Sequence, residues 1–199
     1  NSSGNKPNRS SSMNAPLRTS LKQKRGRGIA AGWYGIARTA TIDRAGAWAE
    51  LDDGGTAKIV TGVTEIGEGI LTVLAQIAAD ELGIRPQDVT IGDNDTARSP
   101  EAAHAGATRQ TYMIGNAVAL ACREARHRLL EEIAKEWQAP MDEIICSNGK
   151  IHTSDQSRSM SMSEAVKFCK SRGVVPVGSG SFTANHTGLD PEDGSGRPW

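Results

Sequence analysis

The sequence predicts an α+β fold of mixed strands with two largely buried helices, and three stretches carry that reading. Asp52-Asp53-Gly54-Gly55 is a hairpin signal, because its glycines accept positive φ, and it sits between two runs of alternating polarity. Residues 68–82 are apolar around most of a helical turn. Residues 114–137 repeat their apolar side chains at helical spacing. Strands and helices are intermixed without a strict alternation, which is the α+β pattern.

In chain order, residues 1–27 carry Lys6, Arg9, Arg18, Lys22, Lys24, Arg25 and Arg27 and no acidic residue, among many Ser, Asn and Pro. They read as a flexible basic tail, either a partner-touching arm or a linker or added segment ahead of a native start at Met13. From residue 28 to 199 the chain reads as one domain. Residues 28–37 are small and apolar, as in a buried strand. Residues 45–51 alternate, with Ala47, Ala49 and Leu51 on one side. Residues 56–63 form the return strand, Ala57, Ile59 and Thr61 on one face and Lys58, Val60 and Gly62 on the other.

Residues 68–82 then form a helix, its thin polar line made of Thr72, Gln76 and Asp80, and Gly83 ends it. A helix apolar on most sides belongs inside a larger body. Residues 88–91 form a short strand. The connection over 92–110 is too long for a plain loop and reads as functional. The helix over 114–137 is apolar and small in its first half; its second half, with Arg123, Arg126, Arg128, Glu131 and Glu132 around Leu129, Leu130 and Ile133, reaches solvent. Ser147-Asn148-Gly149 is a second hairpin signal, between strands at 144–146 and 150–152. Residues 163–171 form a short helix capped by Ser161 or Ser163. Residues 174–183 are extended, and 190–199 form a Gly- and Pro-containing tail.

Composition excludes several classes. The 199 residues have a formal net charge of zero, which gives no electrostatic case for nucleic acid or an anionic membrane. Aromatics are 4% of the chain, too few for a base-stacking surface. No run of 18 apolar residues predicts a membrane span. Cys122, Cys146 and Cys169 are widely spaced and include no CxxC pair, so neither a zinc ribbon nor an iron–sulfur site is legible. They read as reduced thiols of a cytoplasmic protein, with periplasmic export alongside a partner subunit as the alternative. His104, His127, His152 and His186 lack ligand spacing, so no protein-held metal is expected.

Two motifs carry chemistry. Thr64-Glu65-Ile66-Gly67-Glu68-Gly69 is a glycine-bearing turn that feeds a helix N-terminus, where free backbone N–H groups and the helix dipole favour an anion; it is equally a packed strand-to-helix turn. Ala105-Gly106-Ala107-Thr108-Arg109-Gln110-Thr111 gathers small residues, hydroxyls, an amide and a cation before the long helix. Such a loop can hold a phosphate-bearing ligand. The alternative is a helix cap in which Thr108 or Thr111 satisfies backbone N–H groups and Arg109 is solvated. Two helix N-termini with this chemistry converging on one ligand would bind a phosphorylated cofactor.

These residues carry a resemblance. The run 64–84, with its glycine turn, Thr72 three residues on, Gln76-Ile77-Ala78-Ala79 and Leu82-Gly83-Ile84, resembles the second molybdopterin-binding region of the xanthine dehydrogenase/aldehyde oxidase family. Asp93-Asn94-Asp95-Thr96 resembles that family's following Asp-Thr element. Ala107-Thr108-Arg109-Gln110-Thr111 with Gly115-Asn116-Ala117-Val118 resembles its pterin-contacting loop and next helix, and Arg25-Gly26-Arg27-Gly28-Ile29-Ala30 the strand that opens the region. The resemblance is good over 25–137 and looser over 138–199.

It implies part of the molybdopterin-binding subunit of a molybdenum hydroxylase, which hydroxylates aldehydes or N-heteroaromatics with oxygen from water. It implies molybdopterin, in some members as a dinucleotide, with molybdenum held by the pterin. Gly67, Glu68, Gly69, Thr72, Ala107, Thr108, Arg109 and Gln110 would contact that cofactor. The partners it implies are the remainder of the subunit, an iron–sulfur subunit or domain and, in some members, a flavin subunit. Two departures stand out: the turn's usual Gln is Glu68, and the loop's usual first Ser is Thr108. The family's catalytic Glu lies in a Gly-Glu segment further toward the C-terminus that has no counterpart here, so no catalytic residue is assigned and the isolated chain is expected to be inactive. Two alternatives stay open, a non-catalytic binding or assembly module on the same scaffold and an unrelated phosphate-binding α+β domain.

Overall fold

The first strand, β1 (Arg44–Leu51), alternates strictly: Ala45, Ala47, Ala49 and Leu51 are buried, and Trp48 and Glu50 face outward. The hairpin signal then closes as the sequence predicts. The Asp52 carboxylate accepts from the N–H groups of Gly54 and Thr56 (2.8 and 3.1 Å) and from the Thr56 hydroxyl (2.6 Å), and Gly55 takes φ +77°. The return strand β2 (Ala57–Val60) pairs antiparallel with β1. This is a computed structural model, and it describes residues 26–32, 43–92, 95–185 and 190–195.

From β2 the chain passes through helix α1 (Ile70–Leu82) to strand β3 (Val89–Ile91), which lies parallel to β2. A turn of π-helix (Gln110–Ile114) leads into α2 (Gly115–Trp137). Three short antiparallel strands, β4 (Ile144–Ser147), β5 (Lys150–Thr153) and β6 (Ser159–Ser161), make a small second sheet. Helix α3 (Met162–Ser171) follows, and β7 (Val177–Thr183) returns along β1 to complete a four-stranded sheet in the order β3-β2-β1-β7. Residues 1–34 form a separate unit from the body at 35–199.

α2 and β7 pack very closely. Gly178 and Gly180 face the helix residues Ala117, Ala121 and Ala125, all fully buried. A Cβ on Gly180 would lie 2.0 Å from the Ala117 carbonyl oxygen, and one on Gly178 2.1 Å from that of Ala121. Strand backbone therefore rests directly on helix backbone, which only glycine opposite alanine permits. A similar approach joins α1 to the second sheet. Gly83, the α1 cap at φ +70°, abuts the Cys146 carbonyl, and its own carbonyl accepts from Gly149 N–H at 2.8 Å.

Several expectations need correction. Over 28–32 the chain is exposed and forms no strand, while 33–37 lies outside the described residues. α1 begins at Ile70, because Gly69 takes the left-handed conformation at its N-cap. It is also less enclosed than its composition suggests. Ile70, Leu74, Ala78, Ala79 and Leu82 are buried, but Leu71 stands 39% exposed beside Thr72. The whole length of α2 buries a face, including Leu129, Leu130 and Ile133 in the half expected to reach solvent. Ser161 caps α3, in a reciprocal box with Glu164: its backbone N–H and hydroxyl each donate to that carboxylate at 2.7 Å. β6 gave no warning in the sequence, since Ser159-Met160-Ser161 is held by pairing with β5 rather than by its own pattern.

Replacing Gly180 by alanine drives a methyl group into the α2 backbone and should destabilise the body by about 3 kcal/mol. Gly149→Ala, where a Cβ meets no atom within 4 Å, should cost only the backbone strain, about 1 kcal/mol. Thermal or denaturant unfolding of the two variants checks the difference, and equal losses would contradict the close-contact account.

Candidate functional site

Beyond β2 the chain runs through residues 61–64 without regular strand pairing. Buried Thr61 donates its hydroxyl to the Gly46 carbonyl (2.9 Å), and Gly62 N–H donates to the Pro100 carbonyl (3.2 Å). The chain then turns into α1, and here the turn's donors meet the chain's own acid. One oxygen of Glu65 accepts from Gly67 N–H at 2.7 Å and Gly69 N–H at 3.0 Å; the other accepts from Leu71 N–H at 3.3 Å. Those N–H groups, Gly69 first and Gly67 next, hold the Glu65 carboxyl below its ordinary value. A helix N-terminus favours an anion, and Glu65 supplies it from five residues upstream of Ile70, the first buried helical position.

Glu68 is bound differently. Its Oε2 accepts from Ile66 N–H at 2.9 Å, and its Oε1 accepts from the Gln110 side-chain amide at 2.6 Å. Gln110 is buried to 6% exposure, and its amide clamps Thr64 as well, accepting from Thr64 N–H (3.0 Å) and donating to the Thr64 carbonyl (2.9 Å). The two motifs therefore touch through one side chain. The sequence placed each at a helix entrance; the structure adds that Gln110 sits inside the helix, in the π turn that precedes α2. A π turn rotates successive side chains relative to α-helical spacing and recurs at functional positions. Here Gln110 reaches the turn at 64–68 while Arg109 goes inward.

Arg109 is 2% exposed and fully engaged. Its Nε donates to both Asp43 oxygens (3.0 and 2.9 Å) and its Nη2 to Asp43 Oδ1 (2.5 Å). Nη1 donates to the carbonyls of Ala102 (2.6 Å) and His104 (3.1 Å), and Nη2 also reaches the Arg44 carbonyl (3.3 Å). The solvated-cap reading of Arg109 is thereby overturned. Asp43, itself 2% exposed, is the residue that sequence reading missed. A buried acid directly before an alternating strand was the available signal, and its partner lies 66 residues away.

Around this guanidinium winds the loop over 102–108. Ala103 and Ala107 take φ +54° and +44°, which alanine adopts only under constraint. Ala107 and Thr108 are exposed. Among the described residues, the N–H groups of Gly106, Ala107 and Thr108 have no hydrogen-bond acceptor, whereas Arg109 N–H donates to the Gly106 carbonyl at 2.9 Å. Beside Thr64 lies a cavity of about 260 Å³ lined by Gly62, Thr96, Ser99, Pro100 and Ala102, and the Ser99 hydroxyl is buried there without a partner among the described residues.

Of the expected site residues, Gly67, Glu68, Gly69 and Gln110 are thus brought into one cluster. Ala107 and Thr108 form the exposed rim of the loop that leads to Gln110. Thr72 is exposed one turn into α1, along a groove with Leu71, Gln76 and Val89, and no hydrogen bond joins it to either loop among the described residues. Asp93 and Asn94 lie outside the described residues. No group of three or more His, Cys, Asp or Glu that could hold a metal occurs among the described residues. Burial raises the Cys122 thiol to about 12 and that of Cys146 to about 11, so neither is poised as a nucleophile. Among the described residues, N–H donors without an acceptor thus lie on the loop at 106–108 and carboxylate oxygens on the turn at 65–68, with Gln110 joining the two segments. That set suits a ligand with an anionic end and an N–H-bearing ring, as a phosphorylated pterin has.

Residues 5–199 match the molybdopterin cofactor-binding domain family. The chain belongs to that family. This molybdopterin cofactor-binding domain is 34% identical over 116 residues to the gamma subunit of the 6-hydroxypseudooxynicotine dehydrogenase complex of Paenarthrobacter nicotinovorans, a match covering 56% of this chain and 14% of the relative. It is 31% identical over 140 residues to the aldehyde oxidoreductase molybdenum-binding subunit PaoC of Escherichia coli, covering 70% of this chain and 18% of that one. Among solved structures, its fold is similar to quinoline 2-oxidoreductase from Pseudomonas putida 86, with a TM-score of 0.59 at 24% identity over 73% of this chain and 19% of the other. Against a Cu,Mo-CO dehydrogenase the TM-score is 0.62 at 18% identity, over 77% and 21% of the two chains. The domain therefore spans about a fifth or less of the relatives it matches.

Because the Glu65 carboxyl is held below its ordinary value, the stability it contributes is present above the ordinary carboxylate range and is lost as pH falls through its lowered value. The turn at 65–71 should therefore open as pH falls below the ordinary carboxylate range, seen as a loss of amide protection at Gly67 and Gly69 once the intrinsic pH dependence of exchange is divided out. In Glu65→Gln that pH dependence should disappear, with exchange already fast at neutral pH.

Proposed function

We propose that this domain forms one wall of the cofactor site in the large subunit of a molybdenum hydroxylase, an oxidoreductase that hydroxylates an aldehyde or an N-heteroaromatic ring with oxygen taken from water. The observation that carries the reading is the junction of the two motifs through Gln110, 2.6 Å from Glu68. Membership of the cofactor-binding family and relatives that are subunits of a dehydrogenase complex and of an aldehyde oxidoreductase support it.

In this reading Gly106, Ala107 and Thr108 donate N–H groups to the phosphate end of molybdopterin. Glu68 and the Gly67–Gly69 turn face the N–H-bearing ring, which reverses the anion-cradle role expected of the turn. Gln110 holds the two sides in register, and Thr72 extends the wall along α1. Arg109 acts from beneath, with its donors spent inside the chain. The bound molybdenum–pterin group supplies the redox chemistry; the domain's residues bind and orient it. The partners are the remainder of the subunit and an iron–sulfur subunit or domain, with a flavin subunit in some members, and the site of action is the cytoplasm or, with an exported partner, the periplasm. No helix among the described residues is long and apolar enough to cross a membrane.

A second reading, a non-catalytic module on the same scaffold, draws support from Glu65 and Glu68, which occupy the N–H groups of Ile66, Gly67, Gly69 and Leu71. Glu68→Gln in the full-length subunit separates the two. If the site holds cofactor, occupancy measured by metal and pterin analysis should stay within about twofold of the parent or rise, since Gln keeps the size and an acceptor oxygen. The non-catalytic reading expects a lower melting temperature with no occupancy to gain. The chain of 199 residues alone should show no turnover and hold no stoichiometric molybdenum, because it contributes only part of a site built from several segments. Metal analysis finding about one molybdenum per chain would defeat that expectation.

A further inference from the structure

The buried pair Asp43–Arg109 is larger than a core needs and is aimed at a loop. Asp43 lies just ahead of β1, and its carbonyl also accepts from Ala184 N–H at 3.1 Å, just beyond β7. It is therefore tied to the rigid four-stranded sheet. Its carboxylate fixes one side of the Arg109 guanidinium through three hydrogen bonds of 3.0 Å or less. The guanidinium's far side then holds the Ala102 and His104 carbonyls, at 2.6 and 3.1 Å. Those two carbonyls flank Ala103, at φ +54°, and lead into Ala107, at φ +44°. Two alanines in the left-handed region within five residues do not stay there unaided. The loop carries no glycine at either position, and the Arg109 guanidinium ties it down at two of its carbonyls. On this loop the N–H groups of Gly106, Ala107 and Thr108 have no acceptor among the described residues, and Ala107 and Thr108 are exposed.

We infer that Asp43 is a positioning residue for cofactor retention: through Arg109 it holds the 102–108 loop in a strained conformation that presents its N–H groups outward. It touches no cofactor and acts from the sheet side of the site. This rests on the proposed contact between that loop and molybdopterin. The planar guanidinium is essential to the device, because it binds a carboxylate with one edge and two carbonyls with another; an ammonium cannot do both. The strain gives the idea a distinctive signature. Glycine reaches these φ values without penalty, so glycine at Ala107 should make the tether partly dispensable. A residue that merely stabilised the core would gain nothing from a glycine at an exposed loop tip.

The test uses the full-length subunit in its assembled enzyme. Asp43→Asn, Arg109→Lys, and Asp43→Asn combined with Ala107→Gly are compared with the parent. Arg109→Lys keeps a charge for Asp43 while losing the carbonyl tethers, so the test survives if Asp43→Asn does not fold. Amide exchange is followed at 103–108 and, as a control, in β1 and β7. Retention of molybdenum and pterin is measured after prolonged dialysis. Asp43→Asn and Arg109→Lys should each speed loop exchange by about tenfold or more while β1 and β7 change by less than about twofold. Cofactor loss should accelerate by a similar factor, and adding Ala107→Gly should recover most of it. Unchanged loop exchange, loosening spread equally over the sheet, or no rescue by Ala107→Gly would overturn the inference and leave the loop's cofactor contact standing. A loosened loop with undiminished retention would instead overturn that contact, and the positioning role with it.

Discussion

The ion pair between Asp43 and Arg109 is the constraint on which the site depends. Both side chains are almost fully buried, so each must be paired: an uncompensated charge in that position costs about 3–5 kcal/mol. The pair joins the start of β1 to the entrance of α2 across 66 residues of chain. With Arg109 fixed inward, the π turn at Gln110–Ile114 carries the next side chain, Gln110, onto a different face, toward Thr64 and Glu68. One cation thus determines both the shape of the loop before the helix and the direction in which the helix's first amide points.

The close α2–β7 contact lets that geometry be rigid. Glycines on the strand and alanines on the helix bring two backbones together without intervening side chains. β7 in turn pairs with β1 along its full length, from Glu50↔Val177 to Arg44↔Thr183. Asp43 therefore sits at the end of a strand held on one side by β2 and on the other by β7, with α2 against the same strands. A loop carried on such a frame can hold backbone angles that a free loop would relax.

Site polarity follows from where the chain's own acids lie. A glycine turn before a helix ordinarily offers its N–H groups to an external anion. Here Glu65 and Glu68 have taken them, so the turn presents carboxylate oxygens and the neighbouring loop presents the donors. In the proposed reading, a ligand that has both a phosphate and an N–H-bearing ring would place one end on each side. It also gives the replacement of the usual Gln by Glu68 a structural setting, since that carboxylate is held by Gln110 and Ile66 N–H and does not stand free at the helix end.

The sequence by itself determined what depends on neighbours in the chain. The alternation of β1, the Asp52 turn, the Gly83 cap and the helical spacing of α2 are local, and they were legible because burial repeats with the period of each element. So were the two motifs that carry the family resemblance. What only the tertiary structure decided is what depends on distant partners. Nothing around Arg109 distinguishes a solvated arginine from one locked to Asp43, because the choice is made by the desolvation that β1 and β7 impose. Glu65 and Glu68 are two carboxylates on one turn, and they divide its N–H groups, with Glu68 also held by Gln110 from 42 residues away. The glycines of β7 read as an irregular extended stretch until α2 lies 2.0 Å from where a side chain would begin. Local periodicity reports which face is buried, whereas long-range pairing decides what it is buried against.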